Sequence, residues 1–301
     1  MSGSEALQSK DEATETQKKK NKEYIKIAKR LLINKLAVFG LIIIFIQLAL
    51  AVFAPWFAGY GPGEQNLANS ELGIGAEGHW LGTDNYGRDV WSRLVFGARI
   101  SLMVGVASVS LGLIGGVLLG LLSGYYKKLD GPIMRFVDLL FAFPGILLAM
   151  LIIAMLGTSL VNVVIAISIW SIPTCARIVR GSVLSAKKQE YILAMRSLGA
   201  SNTRILFKHI LPNCTAPIIV FATMRMATAI LSTAALSFLG LGAQPPTPEW
   251  GAMIAAGQDY MYSSPHLTIV PGVAIMLVVF AFNVVGDGLR DALDPNMDLD
   301  N

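Results

Sequence analysis

Residues 100–124 read ISLMVGVASVSLGLIGGVLLGLLSG, an apolar run without a single Asp, Glu, Lys or Arg. A helix needs about 20 apolar residues to cross the hydrocarbon core of a bilayer, and this run exceeds that length. A segment in lipid must satisfy its backbone hydrogen bonds internally, so an uninterrupted run of this length is helical. The stretch therefore predicts an integral membrane protein.

Five further segments meet the same test of length and apolar character. Together they predict an all-α membrane protein with six transmembrane helices. The predicted spans are residues 36–57, 100–124, 136–156, 159–176, 215–240 and 267–288. The composition agrees, because 54% of the residues are hydrophobic and only 15% are charged. A soluble domain would have about 25% charged residues.

Three glycines of the second span share one helical face. Gly112, Gly116 and Gly120 recur every four residues, which leaves a flat strip that a second helix can approach closely. Glycine is also frequent in membrane helices generally, so the pattern fits ordinary usage as well. We expect a close helix contact on this face.

Lysine and arginine indicate on which side of the membrane each connection lies. Most of them fall in residues 1–35 and in the connections after the second and fourth predicted spans. The connections after the third and fifth spans have none. Because these residues concentrate on the cytoplasmic side, we expect both chain ends there. The loop over 58–99 is the exception, since it contains Arg88, Arg93 and Arg99.

The N-terminal region is basic and partly amphipathic. From Lys22 to Lys35, apolar residues alternate with lysine and arginine, which favours a helix lying on an anionic cytoplasmic leaflet. The span after it contains Ala49-Leu50-Ala51, which resembles a signal-peptide cleavage site. The long charged segment before it favours an uncleaved anchor, and cleavage would leave the orientation of the other five spans unchanged.

Several classes of function lack their sequence signature. There is no G-x-x-x-x-G-K-[ST] phosphate loop, and the dipeptide Gly-Lys never occurs, so we do not expect this chain to bind ATP. No H-E-x-x-H zinc motif occurs, and His79, His209 and His266 are scattered. Cys175 and Cys214 are too few for a disulfide framework. The basic residues follow the membrane topology rather than one stripe, which argues against nucleic-acid binding.

Few ionisable residues fall within the predicted spans. Arg225 lies well inside the fifth, where a charge costs about 3 kcal/mol on insertion scales. It lines a transport path, forms a structural pair or reaches the interface by snorkelling. Asp138 lies three residues from Arg135, which favours a local ion pair. The spans lack the chain of acids or histidines that is typical of a proton-coupled transporter.

The connection over 186–212 reads AKKQEYILAMRSLGASNTRILFKHILP. Residues 187–198 predict a short helix with Tyr191, Ala194, Met195 and Leu198 near one face. Gly199 then suits a left-handed helix end, Ser201 suits the N-cap of a second helix, and Pro212 stops that helix. The pattern predicts a bent pair of helices that can transmit force to a partner, although it also fits an ordinary amphipathic loop.

This connection resembles the cytoplasmic EAA loop of bacterial ABC-importer permeases. Leu193-Ala194-Met195 is followed by Gly199 and by Ile210-Leu211-Pro212 at near-matching spacing. Leu193 stands in place of the glutamate of the motif, and Met195 in place of its second alanine. Glu190, with the tyrosine after it, matches the Glu-Tyr that precedes the motif in peptide permeases.

The resemblance extends over residues 80–295. Motifs similar to those of the dipeptide/oligopeptide permease family are Leu81-Gly82-Thr83-Asp84, Gly87-Arg88-Asp89, Ser92-Arg93, Leu236-Ser237-Phe238-Leu239-Gly240-Leu241-Gly242, Pro245-Pro246-x-Pro248-x-Trp250-Gly251 and Gly286-Asp287-Gly288-Leu289-Arg290-Asp291. On these motifs the chain resembles the C-type subunit of such importers. It departs from the family at Thr233, where these proteins often have glutamate.

The resemblance implies a type I ABC-importer permease fold with a MetI-like core, in the bacterial cytoplasmic membrane. The implied partners are a homologous B-type permease, two cytoplasmic ATPase subunits that bind ATP and Mg, an external or periplasmic peptide-binding protein, the peptide substrate and the lipid bilayer. No cofactor, metal or catalytic residue is expected in this chain. The implied organisation is a cytoplasmic tail over 1–35, a first helix over 36–57, an external loop over 58–99, a core over 100–290 including a coupling loop over 177–213, and a cytoplasmic tail over 291–301.

Two sets of site residues follow from the resemblance and from the positions of the motifs. Those expected to contact an ATPase are Glu190, Tyr191, Ala194, Met195, Arg196, Leu198, Gly199 and Ala200. Those expected to line the transport path are Arg225, Thr233 and Ser237. The expected function is import of dipeptides or oligopeptides. Import of a nickel chelate or glutathione by the same family is the alternative, and secondary transport is a more distant one.

Overall fold

The fold was analysed in a computed structural model, which describes residues 25–294. These residues form helices and loops without a β-strand. The predicted tails lie outside the described residues over 1–24 and 295–301. The helices are α1 (25–33), α2 (Lys35–Val52), α3 (Ala54–Phe57), α4 (Val90–Tyr125), α5 (Lys127–Phe141), α6 (Gly145–Leu156), α7 (Leu160–Ala186), α8 (Glu190–Ser197), α9 (Asn202–Arg204), α10 (Leu211–Asn213), α11 (Thr215–Phe238), α12 (Trp250–Gly257) and α13 (His266–Leu293).

Five helices are long and apolar enough to cross a membrane: α2, α4, α7, α11 and α13. The third predicted span, over 136–156, is not one continuous helix, because α5 and α6 meet at 90°. The break falls at Pro144, which lacks an N–H and disfavours helical geometry at the residue before it. The chain therefore has six spans if this bent pair counts as one broken span.

Helix α4 is longer than the span predicted for it. It begins at Val90, where the Asp89 side chain accepts a hydrogen bond from the Ser92 N–H at 2.7 Å and caps the first turn. The loop predicted over 58–99 is therefore shorter, and Arg93 and Arg99 belong to the first turns of α4. We call the end of the bundle at this loop the loop end.

Two arginines at the loop end are buried in polar contacts. Arg88 Nε lies 2.7 Å from Asp84 Oδ2, and both residues are buried. Arg93 Nη1 donates to the backbone oxygens of Pro62 at 2.9 Å and Pro246 at 3.3 Å. These contacts join the loop before α4 to the loop before α12. Both guanidinium groups are thus used inside the fold, whereas Arg99, the third arginine of the predicted loop, is exposed.

The close packing of α4 against α7 confirms the glycine strip. A Cβ at Gly120 would lie 2.6 Å from Val179 Cβ, and one at Gly124 would lie 2.7 Å from Val183 Cβ. Gly112 and Gly116 face α7 in the same way. Real Cβ atoms essentially never approach so closely, so only glycine permits this helix separation.

Helix α5 attaches to α7 differently, through two ion pairs. Arg180 makes a two-point contact with Asp130, at 2.6 and 2.7 Å, and Arg177 Nη2 donates to Asp138 Oδ1 at 2.6 Å. The spacing of Arg135 and Asp138 predicts a local ion pair between them. In the structure Asp138 pairs with Arg177 instead. The sequence places Arg135 nearby along the helix, but α7 approaches α5 on the face that carries both acids.

We predict that replacing Gly120 with Val will destabilise the full-length protein. The added side chain overlaps Val179, and overpacking costs about 1–3 kcal/mol. Thermal unfolding of the purified chain in detergent should show a lower Tm.

Gly181→Val is the matched control, because Gly181 lies in α7 with no heavy atom within 4 Å of a Cβ built there. Both variants add the same β-branched side chain to a helix. An equal loss of Tm in the two variants would contradict the proposed role of the α4–α7 contact.

Candidate functional site

Residues 190–213, between α7 and α11, form the bent pair of helices predicted from the sequence, which we call the elbow. Helix α8 ends at Ser197, and Gly199 has a φ of +79°, in the left-handed region. The Ala200 N–H then bonds to the carbonyl of Met195 at 3.1 Å, which closes the helix end. Ser201 Oγ accepts from the Arg204 N–H at 3.4 Å and caps the second arm.

The second arm differs from the plain helix that the sequence predicts. After α9, residues Ile205–Ile210 form a π-helix, and the Leu211 N–H bonds five residues back to the carbonyl of Leu206. Pro212 lies within α10 and does not stop the arm. The turn before α11 falls at Cys214 instead. The proline is tolerated because it occupies the first turn of α10, where its missing N–H is not needed.

Buried apolar side chains attach the elbow to the bundle. Ile192, Ile205 and Ile210 are fully buried. They belong to one cluster, which we call the anchor cluster: Leu121, Tyr125, Cys175, Val179, Val183, Ile192, Ile205, Leu206, Ile210 and Cys214. A fully buried isoleucine contributes about 1.5–3 kcal/mol. The cluster therefore fixes the elbow to the adjoining ends of α4 and α7.

Polar contacts add directional constraints at the same place. Tyr125 Oη donates to Asn202 Oδ1 at 2.6 Å, and Lys187 Nζ donates to the carbonyl of Tyr125 at 2.6 Å. Partial burial lowers the pKa of Lys187, and the nearby Arg196 guanidinium lowers it further. Asn213 Nδ2 donates to Tyr191 Oη at 3.0 Å and ties the two arms together. The elbow is thus held to α4 and α7 and braced internally.

The outward face of the elbow is apolar at its tip. Leu198 is 87% exposed, and Tyr191 and Leu193 are also exposed. Ala194, Arg196, Gly199 and Glu190 are exposed, whereas Met195 and Ala200 are half-buried. Eight of the elbow residues were predicted to contact a partner, and the structure brings them onto one short segment. That contact itself stays a prediction.

The inward-facing residue of α8 was not identified from the sequence. Ile192 is the buried residue of this helix, whereas the predicted face named Tyr191, Ala194, Met195 and Leu198. The i, i+3 spacing of Ile192 and Met195 is the signal that could have located the buried face. Eight residues hold too few turns for the two possible faces to be told apart by periodicity.

Arg225 lies within α11, against α7. Its Cζ is 4.6 Å from the centroid of the Trp170 ring, a cation–π contact. Its Nε and Nη2 are buried and have no hydrogen-bond partner among the described residues. Trp170 in turn lies directly against Gly145, the first residue of α6 after the break.

Thr233 and Ser237 are buried in the interior of the chain. Thr233 Oγ1 donates to the carbonyl of Ala229 at 2.8 Å, within its own helix. Ser237 Oγ accepts from the Ala243 N–H at 3.2 Å and fixes the loop after α11. Both hydroxyls therefore have structural bonds, and they do not join Arg225 in one site. Their place on a transport path stays a prediction.

Among residues 25–294, no group of three or more His, Cys, Asp or Glu side chains is placed to hold a metal ion. The described residues provide two other features. The elbow is packed on one end of the bundle, and Arg225 lies within the bundle with two donors that have no hydrogen-bond partner.

Comparisons with known proteins identify the family. Residues 116–299 match the family described as binding-protein-dependent transport system inner membrane component, and residues 24–73 match the N-terminal TM domain of oligopeptide transport permease C. The dipeptide transport system permease protein DppC of Alkalihalophilus pseudofirmus is 51% identical over 89% of this chain and 88% of its own length. The glutathione transport system permease protein GsiD of Pectobacterium atrosepticum is 48% identical over 89% and 90%.

Solved structures share the fold. In inward-facing conformations of the MetNI methionine ABC transporter, one chain aligns with a TM-score of 0.55 and 21% identity, over 67% of this chain and 97% of that chain. The match confirms the importer permease fold predicted from the sequence. This multi-pass inner membrane protein therefore belongs to the family of binding-protein-dependent transport system inner membrane components.

Proposed function

We propose that this chain is the C-type permease subunit of an ATP-driven importer of dipeptides or longer peptides. The observation that carries the proposal is the elbow. Its exposed apolar tip at Leu198 is attached through the anchor cluster to two spanning helices, α4 and α7. The 51% identity to a dipeptide transport permease supports the substrate class. We assign no bond chemistry to this chain. ATP and Mg²⁺ bind to separate ATPase subunits in this proposal.

The proposed orientation has the elbow and both chain ends in the cytoplasm. Support comes from contacts at one end of the bundle. Arg30 Nη1 donates to the carbonyl of Asp294 at 3.3 Å, so α1 and the end of α13 meet. A groove beside them is lined by both the start of α11 and the end of α13, next to the elbow. The lysines and arginines of residues 26–35, 127–135 and 177–208 fall at this same end.

Force passes through the anchor cluster in this proposal. The tip at Leu198 seats in a groove of an ATPase subunit, and ATP binding draws the two ATPases together. Because Ile192 and Ile205 are packed against the ends of α4 and α7, displacement of the elbow moves these helices with it. Coupling then consists of different affinities of the partner for the two arrangements of the bundle.

The remaining partners take the other surfaces. A homologous B-type permease faces this chain across the transport path, and a second ATPase engages its elbow. An external or periplasmic peptide-binding protein delivers the solute at the loop end, where residues 58–89 are held in place by buried polar contacts. The lipid bilayer surrounds the exposed apolar faces of the spanning helices.

Glutathione import is the second candidate, because a glutathione transport permease is 48% identical over nearly the whole chain. Glutathione is itself a small peptide, so the candidates differ in specificity and not in mechanism. For a nickel chelate, no observation on this chain adds support.

Reconstitution tests the proposal directly. The chain is placed in proteoliposomes with its second permease, its ATPases and its binding protein. We expect uptake of a labelled dipeptide that requires ATP hydrolysis and that unlabelled dipeptide inhibits. Inhibition by glutathione at lower concentration than by dipeptides would favour the second candidate. Uptake driven by an ion gradient without the ATPases would refute both.

We predict that Gly199→Val abolishes uptake while the chain still inserts into the membrane. A β-branched residue at a φ of +79° costs about 1–3 kcal/mol and changes the angle between the arms. Uptake and membrane insertion are measured on the same preparations.

Gly240→Val is the control, because Gly240 has a φ of +78°, open space around a Cβ and the same pattern of helix-end hydrogen bonds as Gly199, but lies after α11 at the loop end. Its backbone strain is similar and its position is remote from the elbow. Full transport by the Gly199 variant, or equal loss in both variants, would rule out the elbow mechanism.

We predict that Leu198→Asp releases the ATPase subunits without destabilising the permease. The side chain is almost fully exposed here, so its replacement removes no internal contact. Burial of a leucine at an interface is worth about 1.5–3 kcal/mol, so its loss weakens binding by roughly tenfold or more.

Co-purification of the ATPases with a tagged permease measures this effect. Leu67→Asp is the matched control, since Leu67 is 69% exposed and lies at the loop end. Retention of the ATPases by the Leu198 variant would mean that the tip is not part of the contact.

A further inference from the structure

Arg225 is a charged residue within a spanning helix for which the coupling mechanism provides no role. It lies near the middle of α11, which is long and apolar enough to span the membrane. A charge at this depth costs about 3 kcal/mol on insertion scales. Residues of this kind face a cavity or a partner, so an interaction must offset this cost.

The chain itself supplies only part of that interaction. The Trp170 ring faces the guanidinium, with its centroid 4.6 Å from Cζ. A ring face attracts the positive charge but accepts none of the hydrogen bonds from the N–H groups in the plane of the guanidinium. Among the described residues, Nε and Nη2 are buried and unbonded.

No carboxylate of the described chain reaches Arg225. Helices α4, α6, α7 and α11 contain no Asp or Glu, and the two acids of α13, which packs on α11, form no ion pair with Arg225. The two acids of α5 are already paired, Asp130 with Arg180 and Asp138 with Arg177. Arg225 therefore has two buried donors without a hydrogen-bond partner, and no acid among the described residues satisfies them.

Trp170 is also packed against the start of α6. The indole lies so close to Gly145 that no side chain would fit there, and Gly145 begins α6 directly after the 90° break. The guanidinium thus lies beside a ring whose edge is packed on α6. Nε and Nη2 form one two-pronged donor edge of the planar guanidinium, and these are the two donors without a partner among the described residues.

We propose that Arg225, backed by Trp170, binds the carboxylate of the transported solute during its passage. This rests on the proposed function as a peptide importer. The fork of a guanidinium matches the two oxygens of a carboxylate, and such charge-assisted pairs are strong. Every peptide with a free C-terminus has this group whatever its side chains, so one arginine serves many sequences.

The test measures binding to the complex of both permeases and both ATPases, purified without the binding protein. Omitting that protein removes its own selection among peptides. Alanyl-alanine is titrated against alanyl-alanine amide, which lacks only the negative charge at the C-terminus. We expect wild type to bind the free acid about tenfold or more tightly than the amide.

Arg225→Gln should lower the affinity for the free acid to that for the amide and leave the affinity for the amide unchanged. Arg225→Lys keeps the charge and should retain part of the preference. Trp170→Leu should reduce the preference because the guanidinium loses its support. Arg135→Gln is the control, an exposed arginine of α5, and should behave as wild type.

Equal binding of acid and amide by wild type, or an unchanged preference in Arg225→Gln, overturns the proposal. So does loss of the second permease from the complex in Arg225→Gln with recovery in Arg225→Lys, which would assign Arg225 to an acid of that partner. If wild type with its binding protein imports dipeptide but shows no acid preference, this inference alone fails. If it imports no peptide, the proposed function fails.

Discussion

The close contact between α4 and α7 is the interaction on which the rest of the structure depends. Five glycines of α4 face α7, and side chains at these positions would overlap Val179, Val183 and their neighbours. In lipid, helices associate through close packing rather than through the hydrophobic effect, so this fit is a main source of stability. The anchor cluster, Trp170 and both arginines that hold α5 are all built on this pair of helices.

The elbow and α5 are attached to the bundle by different kinds of contact. The elbow is fixed to α4 and α7 by fully buried apolar side chains, whereas α5 is attached to α7 by ion pairs of which Arg177–Asp138 is largely exposed. An exposed ion pair contributes at most about 1 kcal/mol. A displacement of the elbow is therefore passed on to α4 and α7, while α5 is held less firmly before the bend at Pro144.

Local features of the elbow were readable from the sequence, and its packing was not. The left-handed helix end predicted at Gly199 and the N-cap predicted at Ser201 are both confirmed. Such features depend on the residue itself and its nearest neighbours. The buried face of α8, centred on Ile192, was missed because it depends on where α4 and α7 end. The π-helix of the second arm likewise arises from packing that no local pattern encodes.

The sequence by itself determined five of the six predicted membrane spans, the glycine strip and the position of the elbow, because hydropathy, residue size and backbone preference are local quantities. The tertiary structure decided which charges meet. Asp138 pairs with Arg177 and not with Arg135, Arg88 and Arg93 are buried in the loop end, and Arg225 lies against Trp170. Apart from the pair of Arg88 with Asp84, four residues away, these contacts join residues far apart in the chain, and electrostatic pairing follows distance in space rather than in sequence.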